Sequence, residues 1–186
     1  MVVCTHAGGG MLTGTARGLI KAGCKNTQVV GASIDLTGLH MASDTQFNKK
    51  SCTTGHTGFG VPHASDPDNC DTPRSAGRVL RYMDRYVTVK QGDVMYITEA
   101  LAVLEGLERG PAGNTSLAAA LSLAQELPED AILVVSETEY TGAGKHIQPQ
   151  MTFARHNGID IKFGNPNEED RPGVNLVLPS DPGLIQ

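Results

Sequence analysis

The chain has no tryptophan, and aromatic residues make up only 4% of its 186 positions. A core without large rings is filled by Ala, Val, Leu and Ile, the usual content of a parallel sheet covered by helices. Positive charge is not in excess either. The 15 Lys and Arg are outnumbered by 20 Asp and Glu, and the net charge of −5 argues against nucleic acid as a partner. No apolar run approaches the ~20 residues of a membrane span. The amino terminus also lacks the basic-then-apolar form of a secretion signal. There are only four cysteines, Cys4, Cys24, Cys52 and Cys70, irregularly spread. A chain of this size needs no disulfide staples, so reduced thiols and a cytoplasmic location are the plain reading. Two nucleotide signatures are missing as well. The triplet Gly-Lys-Ser/Thr of a P-loop is absent, and Thr13 breaks the G-x-G-x-x-G order that a dinucleotide loop requires.

Glycine is abundant, 22 of 186, and its most telling cluster lies in VVCTHAGGGMLTGTARGLIKAG, residues 2–23. An apolar run, Val2-Val3-Cys4, leads into Gly8-Gly9-Gly10. A helical pattern follows, with Leu12, Ala16, Leu19 and Ile20 spaced for one face. Strand, glycine turn and helix point unpaired backbone N–H groups at an anion. Glycine lacks the Cβ that would hold a phosphate away and tolerates positive φ. Thr13 and Thr15 add hydroxyls. The chemistry is that of a phosphate cradle; the bland alternative is a tight turn.

The line THAGGGMLTGTARGLIKAG, followed by TQVVGASI, resembles the cofactor-phosphate segment of the fold-type II pyridoxal-phosphate enzymes, whose loop commonly reads G-x-G-G-x-L-x-G. Gly9, Gly10, Leu12 and Gly14 match the last part of that loop. Ala7 stands where many members have Gly, and Met11 where many have Thr or Asn. The resemblance implies pyridoxal 5'-phosphate as cofactor, with Ala7, Gly8, Gly9, Gly10, Met11, Leu12 and Thr13 forming its phosphate loop. It further implies that Ser136, at the end of AILVV, meets the pyridine nitrogen. Glu137 follows directly; pointing inward, it would raise that nitrogen's basicity, and Thr138 is a further candidate. GHTGFGVPHASDPDNCDTPRSAGR and VVSETEYTGAGKHIQPQ resemble the coenzyme A-dependent thiolase branch of the family. That implies coenzyme A and an amino-keto acid as substrates, a small alpha subunit as partner, and self-association.

The expected fold is α/β, a mostly parallel sheet flanked by helices, as in the C-terminal part of a fold-type II large domain. Residues 1–140 read as the cofactor-binding domain, with a long irregular insertion at about 35–74, and 141–186 as a loop and tail packing on the domain or a partner. Strands are expected at Gln28–Ala32, Val87–Val89 and Ala131–Val135. Helices are expected over Ser75–Tyr86, over Val94–Glu108 with Asp93 as N-cap and a face of Ile97, Leu101, Leu104 and Leu107, and over Leu117–Leu127. Phe153-Ala154-Arg155 reads as a short helix and Ile159-Asp160-Ile161 as an edge strand. The residues after Gly164 look like an extended tail without its own core.

Two clusters are weaker. Cys52, His56, His63 and Cys70 are zinc-type ligands, but their spacing fits no compact metal site, and no metal is expected. Arg74, Arg78, Arg81 and Arg85 fall at helical spacing, as a solvated face or as a docking stripe for the phosphates of coenzyme A. The Schiff-base lysine is the notable gap. Of Lys21, Lys25, Lys49, Lys50, Lys90, Lys145 and Lys162, none stands in the family's context, and only Lys145 reads as lying near a strand's C-terminal edge. The resemblance therefore implies that this lysine lies upstream of Met1 and that the chain, being the C-terminal part, is inactive alone. Two other readings stay open: a threonine synthase-like lyase, and a non-catalytic phosphate- or nucleotide-binding α/β domain.

Overall fold

The computed structural model describes residues 1–6, 9–35, 78–137 and 147–186. Four strands, β1 (Val2–Thr5), β2 (Val29–Ile34), β3 (Arg85–Val89) and β4 (Val134–Ser136), form a parallel sheet in the order β3-β2-β1-β4. The alternation of strand side chains divides the core into two layers. Val2, Cys4 and Val29 face α1 (Gly10–Lys21), where they pack with Leu12 and Ala16. Val3, Val30, Ala32 and Ile34 face the other way, onto Ala118, Ala119 and Leu123 of α3 (Thr115–Ala124). The parallel α/β sheet is the one the composition called for.

A second core lies beside the first. Helix α4 (Gln148–His156) and strands β5 (Asp160–Gly164) and β6 (Asn175–Pro179), which pair in parallel, contribute Met151, Ala154, Leu176 and Leu178. The short α5 (Pro166–Glu169) lies between the two strands. Helix α2 (Gln91–Glu105) joins the cores: Val94 enters the first and Met95 the second. The segment after Gly164, expected as a tail without a core, thus supplies buried Leu176, Val177, Leu178 and Ile185.

Other expectations are corrected for identifiable reasons. No helix runs on to Tyr86. A single 3-10 turn, Arg78–Arg81, gives way to β3, because Arg85 pairs with Val30 and the Asp84 carboxylate accepts the Val29 N–H at 2.7 Å. The arginine stripe therefore does not form across this segment. Arg74 lies outside the described residues, and Arg85 sits on a strand with its guanidinium on Glu126. Strand β4 starts at Val134 rather than Ala131, since its partner β1 begins only at Val2. Helix α2 stops at Glu105, where Gly106 adopts φ 65, and it buries its first two turns rather than the expected face: Leu104 is 77% exposed. Lys90 holds the N-cap position, and Asp93 stands at N3, accepting the Lys90 N–H at 3.2 Å. The 35–74 insertion beyond Asp35, with its Cys and His residues, and the boundary near 140 lie outside the described residues.

Candidate functional site

The chain leaves β1 through α1 to β2 and β3, then crosses back to place β4 on the opposite side of β1. Strand order therefore reverses between β1 and β4. In open parallel sheets a ligand sits beyond the C-terminal strand ends at such a switch point. The glycine loop follows β1 there, and Ser136 closes β4 there, paired in register with Cys4.

Gly9 caps α1 with φ 78, a left-handed conformation that an L side chain resists. Gly10, Met11 and Leu12 form the first turn. Thr13 is the first residue to donate in helical fashion, to the Gly9 carbonyl at 3.0 Å. The N–H groups of Gly10, Met11 and Leu12 have no acceptor within the helix and carry its positive pole. The Thr13 hydroxyl is buried and has no hydrogen-bond partner. The Leu12 side chain is wholly buried in the core, so only its backbone is available to a ligand. Ala7 and Gly8 lie outside the described residues.

The two halves of the site touch. Ser136 Oγ lies 3.5 Å from Met11 Sδ and beside the thiol of Cys4. The Thr15 hydroxyl also faces Cys4 rather than the anion end, and burial raises that thiol's pKa despite both hydroxyls. On the opposite face Thr5 fixes the start of α3: its hydroxyl accepts the Ser116 N–H at 3.1 Å. Ser116 in turn donates from its own hydroxyl to the Ser136 carbonyl at 3.2 Å. One short span of β1 therefore organises both helix N-termini around the end of β4.

Two titratable groups stand at this edge, His6, which the sequence did not single out, and Glu137, named there only beside Ser136. His6, the residue after β1, is fully buried with neither ring nitrogen hydrogen-bonded, and burial lowers its pKa to about 4. Its ring meets the Tyr86 ring edge-on, with centroids 5.8 Å apart. A polar residue continuing the alternation of an apolar strand was the signal available for it. Glu137 has both carboxyl oxygens buried and without partners. Burial raises its pKa to about 7, and Arg109 pulls it down only in part. A lysine at a strand edge was also misplaced. Lys90 directly follows β3 and is ion-paired with Asp35, two strands away from the switch point.

The described residues fit a group bearing a phosphate and a ring nitrogen. Three free helix N–H groups and an unpartnered buried hydroxyl are donors for an oxyanion. Across from them, the Ser136 hydroxyl lies within hydrogen-bond reach of the sulfurs of Met11 and Cys4 among the described residues. Comparison with known proteins agrees. The family model described as "Pyridoxal-phosphate dependent enzyme" matches residues 1–138. The chain belongs to this family, whose cofactor is pyridoxal 5'-phosphate. Within it, the chain is 72% identical over 186 residues to the 2-amino-4-ketopentanoate thiolase beta subunit of Acetoanaerobium sticklandii, covering 100% of this chain and 39% of that protein. It is 66% identical over 180 residues to a 2-amino-4-ketopentanoate thiolase beta subunit from an unknown prokaryotic organism, covering 97% of this chain and 38% of that protein. The chain thus spans about two fifths of the length of these curated relatives.

Proposed function

We propose that this chain is part of the beta subunit of a pyridoxal-phosphate-dependent thiolase that cleaves 2-amino-4-oxopentanoate with coenzyme A, giving acetyl-coenzyme A and alanine. The observation that carries this reading is the meeting of the α1 N-terminus with the end of β4 at the switch point. The identity to the two thiolase subunits supports the choice of reaction within the family.

In this reading the N–H groups of Gly10, Met11 and Leu12 and the Thr13 hydroxyl hold the cofactor phosphate, with Ala7, Gly8 and Gly9 shaping the loop. Ser136 faces the pyridine nitrogen and orients the ring. When bound, the cofactor supplies an electron sink for the charge left on carbon as the bond between C3 and C4 of the substrate breaks. The coenzyme A thiol takes the acetyl group. None of the described lysines stands at the switch point: Lys21 ends α1, Lys25 lies between α1 and the start of β2, Lys90 pairs with Asp35, and Lys162 pairs with Glu169. We place the Schiff-base lysine in the further length that the relatives possess. A small alpha subunit, self-association and a cytoplasmic location belong to the same proposal. No described helix is long and apolar enough to cross a membrane.

The test is turnover by the full-length protein loaded with pyridoxal 5'-phosphate. Acetyl-coenzyme A and alanine are expected in equal amounts, and neither without coenzyme A. Cleavage that proceeds without coenzyme A would replace the thiolase reading with a lyase.

A further inference from the structure

Two sulfurs flank the Ser136 hydroxyl. Ser136 pairs in register with Cys4, and paired residues of a parallel sheet present their side chains on one face. That is the face covered by α1, where Cys4 packs with Leu12 and Ala16. Met11, in the first turn of α1, packs against the same cluster. The Ser136 hydroxyl donates to Met11 Sδ at 3.5 Å and reaches the Cys4 thiol beside it. Its backbone is fixed separately, by the bond from the Ser116 hydroxyl to the Ser136 carbonyl. Thioether and thiol sulfurs are weak acceptors. A thiolate would be a strong one, but burial raises the Cys4 pKa and keeps the thiol neutral. Among the described residues no oxygen or nitrogen accepts from the Ser136 hydroxyl. Ser136 and Met11 are only half-buried, so a ligand at the sheet edge can reach that hydroxyl.

Resting on the cofactor reading above, we propose that Met11 and Cys4 are positioning residues for Ser136: their sulfurs hold its hydroxyl on the α1 face and release the O–H to a pyridine nitrogen without competing for it. A hydroxyl has one hydrogen to donate, so the strongest acceptor within reach takes it. Against sulfur, a pyridine nitrogen wins. The exchange replaces one hydrogen bond by another; the proton stays on Ser136 Oγ and the ring stays neutral. An oxygen acceptor at either sulfur position would keep the O–H for itself. A side chain of the same size with no acceptor would not divert it.

The experiment uses the full-length protein loaded with pyridoxal 5'-phosphate carrying 15N in the ring, observed by NMR without substrate. The wild-type resonance is expected between the positions of a free and a protonated pyridine nitrogen, as a neutral, hydrogen-bonded ring gives. Met11→Gln, which brings an amide oxygen to the place of the sulfur, is expected to move it downfield towards the free position. Cofactor affinity should weaken about fivefold with the loss of one neutral hydrogen bond. Met11→Leu, of similar size and without an acceptor, is expected to keep most of the wild-type shift. Cys4→Ser is expected to move the resonance as Met11→Gln does. An unmoved resonance in either oxygen-bearing variant overturns the role of that residue. A shift in Met11→Leu as large as in Met11→Gln shows that Met11 acts by packing alone and overturns its role as well. A wild-type nitrogen at the free or the protonated position overturns the proposal while leaving the cofactor reading intact, whereas failure of the wild-type protein to bind the cofactor overturns both. If Cys4→Ser does not fold, the two variants at the half-buried Met11 decide the matter.

Discussion

Gly92, in the first turn of α2, lies so close to Val177 of β6 that a Cβ placed on it would come within 1.5 Å of the Val177 carbonyl oxygen and 2.5 Å of its carbon. Both obstacles are backbone, so no side-chain rotation relieves the overlap. Because α2 reaches both cores, this contact sets how the β5-β6 layer rests on the four-stranded sheet. Gly92→Ala must push β6 away, at about 3 kcal/mol or more by analogy with overpacked cores. Thermal unfolding should show the loss. Gly10→Ala, where a Cβ meets nothing within 4 Å, is the matched control and should leave stability nearly unchanged.

At the phosphate end, Thr13→Val keeps the volume and deletes the unpartnered hydroxyl. A hydrogen bond to a charged acceptor contributes about 1.5–3 kcal/mol, so cofactor affinity should weaken about tenfold or more, read by equilibrium dialysis. Thr15→Val removes a hydroxyl that faces Cys4 instead and should not change that affinity. Equal effects from the two variants would remove Thr13 from the cradle.

The glycine loop and the parallel sheet were legible because their signals are local. An apolar run, three glycines and a 3.6-residue pattern each act within a few residues of themselves. What escaped was set at a distance. Arg85 belongs to β3 because Val30 pairs with it, and a helical reading of SAGRVLRYMDRY contains nothing of Val30. Leu104 is spaced for a buried face, yet α2 is anchored by its first two turns, and its far end stands in solvent. The polar text after Gly164 hid NLVLP, whose partner strand is the equally short DIKFG. At the switch point, the place of Ser136 at the end of an apolar run was legible from AILVV. The isolation of the His6 ring and of the Glu137 carboxyl depends on what surrounds them, which no spacing records.

The arginine stripe offers a test of a reading that the fold disfavours. The Arg85 guanidinium makes a two-pronged contact with Glu126, at 2.7 and 3.1 Å, on the surface. The two side chains are 46% and 55% exposed, where ion pairs contribute little. Arg85→Ala should leave both the melting temperature and the KM for coenzyme A unchanged. A rise of severalfold in that KM would return Arg85 to the substrate surface.

Buried acids and a buried imidazole give stability two opposing pH dependences. Burial raises Asp93 to about 7 and Asp170 to about 6, from an ordinary value of 3.8. The charged groups around the pair are Lys90, which lowers both, Asp35, which raises Asp170, and Asp170 itself, which raises Asp93. The folded chain therefore binds more protons than the unfolded one between about pH 4 and 7, and stability falls as pH rises through that window. For Asp93, about three units correspond to at most roughly 4 kcal/mol. His6 acts in the opposite sense. Its folded value of about 4 lies below the ordinary 6.5, so its contribution is complete above 6.5 and is lost as pH falls towards 4. Asp93→Asn should make the decline from pH 4 to 7 shallower, leaving the part that Asp170 and Glu137 contribute against the opposing rise from His6. Adding His6→Phe, which keeps an aromatic ring beside Tyr86, should remove that opposing rise and steepen the remaining decline below pH 6.5. Melting curves of the three proteins across pH 4 to 8 decide it, and a wild-type slope retained in Asp93→Asn would show that this carboxyl is ionised in the folded chain throughout.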